Sequence, residues 1–171
     1  FRGDKEGSYR DRCDNLEALS QKNGFEFHAV TKGVYSLEDA RVAAQELGDW
    51  NADFILLQTS SFAAGEFLYP FTDLGTPLGL WAVPEGPPTA EGGLPLNSFT
   101  AANMYNSIIK TRLKDRDEPV KWFFGHPDDD LFAKRLAVTV DASRALINLP
   151  GKRIASIGGV APGFDNLIID E

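Results

Sequence analysis

The side chains best suited to chemistry fall in short clusters that follow apolar runs. Gln58-Thr59-Ser60-Ser61-Phe62 is one cluster, residues 81–86 a second and Gly125-His126-Pro127-Asp128 a third. Residues 158–163, Gly-Gly-Val-Ala-Pro-Gly, form the fourth. Hydroxyls, amides, aromatics and glycines dominate these clusters. Such a set suits a neutral polyhydroxylated ligand, which takes hydrogen bonds at its edge and a flat apolar platform on its face. The same residue types also serve turns and helix caps, so both readings stand at this level.

The titratable residues offer weaker patterns. His126 with Asp128, Asp129 and Asp130 has the donor types of a metal site. Consecutive loop residues rarely converge on one ion, however, and acids at a helix start are explained by capping. Glu85 and Glu91 flank a flexible loop and fit either an acid–base pair or a solvated lid. Cys13 sits in a helical stretch beside Arg12 with nothing else to activate a thiolate, which favours a structural role. His28 lies in an apolar run and reads as a packed or edge histidine. Two glycines in residues 158–163 are spaced as in a phosphate-binding loop, but Phe164-Asp165 replace the Lys-Ser/Thr pair, so a sharp backbone turn is the better explanation. G-x-G-x-x-G, G-x-S-x-G and H-E-x-x-H are all absent. No catalytic residue and no metal ligand is assigned to this chain.

These clusters need a scaffold, and composition bounds it. The chain has 171 residues, 43% of them hydrophobic, as in one ordinary globular domain. Its net charge of −8 argues against nucleic-acid binding, which needs a basic face. The one cationic cluster, Lys110, Arg112, Lys114 and Arg116, is interleaved with acids and reads as a solvated helix end. A single cysteine excludes an internal disulfide and points to a reducing compartment. No apolar run approaches the roughly 20 residues that span a bilayer, and residues 1–5 carry no apolar signal core. The expected location is the cytoplasm, with no membrane partner.

Apolar runs alternate with amphipathic stretches. Residues 9–22 read as a helix with Leu16 and Leu19 on one side, stopped by Asn23-Gly24. Residues 25–30 read as a strand. Ser36 caps a helix carrying Leu37, Ala40, Ala44 and Leu47, which Gly48 ends. The continuous apolar run Asp53-Phe-Ile-Leu-Leu-Gln58 reads as a strand buried on both faces. A short helix falls within residues 63–73, interrupted by Pro70, and residues 77–83 form the next strand. After a Pro- and Gly-rich loop, Asn97-Ser98 caps a helix to about Leu113, with Ala101, Met104, Tyr105, Ile108 and Ile109 inside. A strand at residues 120–125, a helix from Asp128 to Leu149 and a last strand at residues 153–159 complete the pattern. Strand–helix alternation predicts an α/β fold: a doubly wound, mostly parallel, flavodoxin-like sheet in a Rossmann-type three-layer arrangement. The opening on a loop and helix and the closing apolar run at residues 166–171 suggest a piece of a longer polypeptide.

Four stretches carry a resemblance. They are Leu94-Pro-Leu-Asn-Ser-Phe-Thr-Ala-Ala-Asn-Met-Tyr-Asn-Ser-Ile108, Lys121-Trp-Phe-Phe-Gly-His126, Arg153-Ile-Ala-Ser-Ile-Gly-Gly-Val-Ala-Pro-Gly-Phe164 and Gln58-Thr-Ser-Ser-Phe62. In order and spacing, over nearly the whole chain, they resemble the amino-terminal region of the L-fucose isomerase-like / L-arabinose isomerase family. The resemblance implies a homo-oligomeric aldose–ketose isomerase acting on a monosaccharide through an enediol. It also implies a divalent metal, commonly manganese, held by Glu, Asp and His from later in the polypeptide. Residues 1–171 are therefore expected to form a single α/β domain, the amino-terminal part of an isomerase, that binds no metal and turns over no sugar alone. Ser60, Ser61, Trp81, Asn97 and Ser98 are the candidates to shape its sugar pocket by hydrogen bonding and stacking. Ser98 also fits as a helix cap, and Trp81 as core. The alternative is a non-catalytic sugar-binding α/β lobe, and a third possibility is an interaction or scaffold role.

Overall fold

Three of the apolar runs become the strands of one sheet in the computed structural model, which describes residues 3–88, 90–115, 120–153 and 158–167. β1 (Ile55–Thr59), β2 (Leu78–Ala82) and β3 (Val120–Phe124) are parallel and lie in the order β1-β2-β3. Leu80 of β2 stands level with Leu57 on one side and Trp122 on the other. The helices are α1 (Lys5–Asn23), α2 (Leu37–Asp49), the short α3 (Tyr69–Thr72), α4 (Ser98–Arg112) and α5 (Asp130–Asn148). Single 3₁₀ turns occupy Gly65–Leu68 and Asp165–Leu167.

Alternation along the strands divides the core into two layers. Ile55, Leu57, Leu78, Leu80 and Val120 pack against Ala40, Ala43, Ala44 and Leu47 of α2, Phe71 of α3 and Tyr105 of α4. Phe54, Leu56, Trp81 and Phe123 face the other way, onto Leu16 of α1 and Phe132 and Leu136 of α5. The result is a doubly wound α/β sandwich of flavodoxin/Rossmann type, with α2, α3 and α4 on one face and α1 and α5 on the other. The steps from β1 to β2 to β3 run in one direction, so right-handed crossovers put their helices on one face. Among the described residues no helix is long and apolar enough to cross a membrane.

Local chemistry sets the helix ends. Asp4 accepts the N–H of Gly7 at 2.8 Å and starts α1 four residues before the predicted residue 9. Gly24, at φ 66°, stops it by donating its N–H to the Ser20 carbonyl. Ser36 accepts the N–H of Asp39, whose carboxylate in turn accepts the Tyr35 N–H and the Ser36 hydroxyl. Pro70 interrupts nothing: it occupies the first turn of α3, where a missing N–H costs no hydrogen bond.

One expected strand is absent. Residues 25–30 join no ladder, although Phe25 and Phe27 pack toward α1 and α5 while Val30 packs toward α2. The alternation of a strand is present, but a cavity separates this segment from β1, so its backbone has no partner there. The heart of the expected last strand, residues 154–157, lies outside the described residues.

Two outcomes test this packing. A Cβ on Gly79 would stand 2.8 Å from both Leu56 and Phe54 and 2.9 Å from Phe123. Gly79→Ala should therefore cost about 1–3 kcal/mol in urea denaturation. The carboxyl of Asp39 is held down to about 2, first by the hydrogen bond from Lys32 and then by that from Ser36. A folded value below the unfolded one stabilises above about pH 4 and is lost as pH falls toward about 2. The Tyr35 and Asp39 amide resonances should shift across that window, ahead of those in α5.

Candidate functional site

The carboxyl ends of the three strands open onto one rim, where ligands bind in open parallel sheets. Residues 60–62 leave β1, residues 83–86 leave β2 and residues 125–129 leave β3. Hydrogen bonds stitch these loops together. The Phe62 N–H and the Ser61 hydroxyl both donate to the Leu96 carbonyl, each at 3.0 Å. The buried Ser98 hydroxyl donates to the Val83 carbonyl at 2.9 Å, and the Thr59 hydroxyl donates to the Trp81 carbonyl at 3.0 Å.

Glu85 organises the centre of this rim. Its carboxylate accepts the N–H groups of Leu96, Asn97 and Ser98 at 2.6, 3.0 and 3.1 Å. It thus does the work of an N-cap for α4 from another loop. Asn97 holds the cap position at φ 58° without a side-chain cap bond, and its Oδ1 accepts the Thr100 hydroxyl instead. Both oxygens of the carboxylate are thus occupied by backbone amides. The acid–base reading of Glu85 with Glu91 therefore gives way to a positioning role for Glu85. Nothing local in the sequence marks this cap, because Glu85 precedes the amides it caps by 11 to 13 residues.

Ser60 and Ser61 stand together at the edge of the rim, while Asn97 and Ser98 lie across the loop bonds at the start of α4. The Ser61 and Ser98 hydroxyls are committed to backbone carbonyls. Ser60 is half-buried and its hydroxyl has no protein partner among the described residues, which leaves it ready for a ligand. Trp81 lies beneath the rim at 1% exposure. Its indole N–H donates to the Gly125 carbonyl at 2.9 Å and its ring meets Phe132 at 5.0 Å. Burial thus corrects the stacking role expected of Trp81: the ring supports the rim and shows no face to solvent.

Three of the remaining titratable candidates make structural contacts or are buried. Asp129 occupies the cap position of α5 but accepts the His126 N–H at 2.8 Å, closing the loop on itself. His28 bonds Glu46 at 2.8 Å and stacks on Trp50 with centroids 5.1 Å apart. Burial pushes the Cys13 thiol up, away from a reactive thiolate. Gly158 and Gly163 take φ of 106° and 89°, as a sharp turn requires. Among the described residues no three His, Cys, Asp or Glu side chains converge as metal ligands.

Sequence reasoning missed a cavity of about 580 Å³ between residues 24–35 and β1, whose lining includes Ser60 and Ser61. Its only trace in the sequence is an alternating segment that ends up without a ladder.

Removing the Glu85 carboxylate should loosen the rim. Glu85→Ala leaves three amides to find water and should cost about 1–3 kcal/mol. Amide exchange at Leu96, Asn97 and Ser98 should speed up while β2 stays protected.

Over 132 residues, 77% of its length, the chain is 30% identical to sulfoquinovose isomerase of Priestia aryabhattai. The match to sulfoquinovose isomerase of Priestia megaterium (strain ATCC 12872 / QMB1551) has the same identity and extent. The aligned region spans 28% of the length of each relative. No family model matches the chain, and no solved structure does. The chain is similar to sugar isomerases over most of its length, and to only a part of each of them.

Proposed function

We propose that this chain is the α/β domain of a metal-dependent, cytoplasmic aldose–ketose isomerase of the L-fucose/L-arabinose isomerase-like type, serving carbohydrate metabolism. The observation that carries the reading is the 132-residue similarity to two sulfoquinovose isomerases. Sulfoquinovose is accordingly the first substrate to try, and L-fucose the second. The domain's own contribution is a rim of hydroxyls and amides held rigid by Glu85, with Ser60 offering the hydroxyl that meets the sugar. The divalent ion and the groups that move the proton between carbons belong to polypeptide outside these residues. The aromatics Trp122, Phe124 and Phe99 are exposed around the outer edge of β3, with Phe99 and Phe124 centroids 5.6 Å apart. An apolar surface of this kind supports assembly into a homo-oligomer.

The test uses the polypeptide encoded by the complete reading frame, assayed with manganese for interconversion of each aldose with its ketose. Turnover is expected, and Ser60→Ala should raise KM by about 2- to 10-fold with kcat little changed, as for one neutral hydrogen bond. Chain 1–171 alone is expected to be inactive. Turnover by that chain alone, or sugar binding without turnover by the complete protein, would refute the reading; the latter outcome would identify a sugar-binding lobe.

A further inference from the structure

We propose that the cavity beside β1 is the berth of one more parallel β-strand, supplied by the same polypeptide and leading at its carboxyl end into α1. The inference concerns the sheet and does not depend on the sugar reading.

The backbone of β1 presents pairing groups to the cavity. The Ile55 N–H donates to the Pro77 carbonyl at 3.0 Å, so Ile55 faces β2. In a parallel ladder the backbone groups of alternate residues point to opposite sides. Leu57 and Thr59 therefore also face β2, while Leu56 and Gln58 turn their N–H and C=O groups into the cavity. The Gln58 side chain adds an Nε2 that is buried without a hydrogen-bond partner. An edge whose N–H and C=O groups have no strand alongside among the described residues is what a strand pairs with.

The opposite wall has the matching pattern. Phe25 and Phe27 lie in the α1/α5 layer, and His28 and Val30 reach the α2 layer. Residues 25–30 thus lie in the plane of the sheet, one empty slot away from β1. The floor and roof of the slot are the two layers that already cover β1, and α1 lies along it through Tyr9, Cys13 and Leu16. That lining suits the alternating side chains of a buried strand better than it suits a polyhydroxylated ligand.

Handedness selects the occupant. The step from residues 25–30 to β1 passes through α2 and continues in the direction of β1 to β3, with its helix on the same face as α3 and α4. α1 enters residues 25–30 from the opposite face. A right-handed crossover on that face steps in the opposite direction, so the strand that feeds α1 lies on the β1 side of residues 25–30. The one place on that side next to them is the cavity. The sheet order becomes residues 25–30, the new strand, β1, β2, β3. Proteins similar to this chain have polypeptide to supply it, since the aligned region covers 28% of each relative.

Amide exchange measured by NMR tests this on chain 1–171 and on the polypeptide encoded by the complete reading frame. In the shorter chain, Leu56 and Gln58 should exchange fast beside slow Leu57 and Thr59. In the complete polypeptide all four should be slow, with Leu56 and Gln58 slowed at least about 100-fold. Cross-strand NOEs should then join the Leu56 and Gln58 amides to residues that lead directly into α1. NOEs from those amides to residues 25–30, closing the slot without an insert, would overturn the proposal. Fast exchange of Leu56 and Gln58 in the complete polypeptide would do the same. Protection that appears in chain 1–171 only as dimer forms would assign the slot to a second copy, again against the proposal.

Discussion

Every residue of β2 is buried, and that single constraint organises the molecule. A strand with no wet face and no wet edge needs both of its ladders and both of its covering layers. β1 and β3 supply the ladders. α2, α3 and α4 cover Leu78 and Leu80, while α1 and α5 cover the indole of Trp81 and its neighbour Phe123. Gly79 is the concession this crowding demands, since Leu56, Phe54 and Phe123 occupy the space a side chain would need. Parallel strands also gather all three carboxyl ends on one side, so the buried strand decides where a ligand rim can be.

The rim is rigid because its polar groups satisfy one another. Ser61, Ser98 and Thr59 spend their hydroxyls on carbonyls of neighbouring loops, and Glu85 spends its carboxylate on three amides. In this protein most side chains that look chemically able at the strand ends are holding backbone. Among the described residues Ser60 alone of these hydroxyls has no protein partner. The tryptophan beneath is part of the same economy: its N–H ties the end of β2 to the Gly125 turn after β3.

Burial governs two phenols within the fold. Tyr105 of α4 is pushed up to about 12 by its burial against Leu68 and Leu80, and its hydroxyl donates to the Ala64 carbonyl. Tyr9 is raised by burial first and by Cys13 second, and it donates to the Val30 carbonyl at 2.9 Å. Both phenols stay protonated at neutral pH and act as struts. Tyr9 in particular fastens α1 to the segment that flanks the cavity.

Periodicity and punctuation carried the sequence a long way. Ser36 with Asp39, Gly24 and the apolar runs around Ile55, Leu80 and Phe123 mark elements by local chemistry, so helices, strands and the doubly wound order were legible. The local sequence also determined a strand-like alternation at residues 25–30. Tertiary structure alone decided whether that alternation finds a ladder, because pairing depends on what lies alongside in space. It decided as well that Glu85 caps a helix 11 or more residues away, that Trp81 faces inward, and that the Ser60 hydroxyl meets no protein partner among the described residues. Hydrogen-bond partners and burial are properties of the assembled fold, and no residue carries them in its own name.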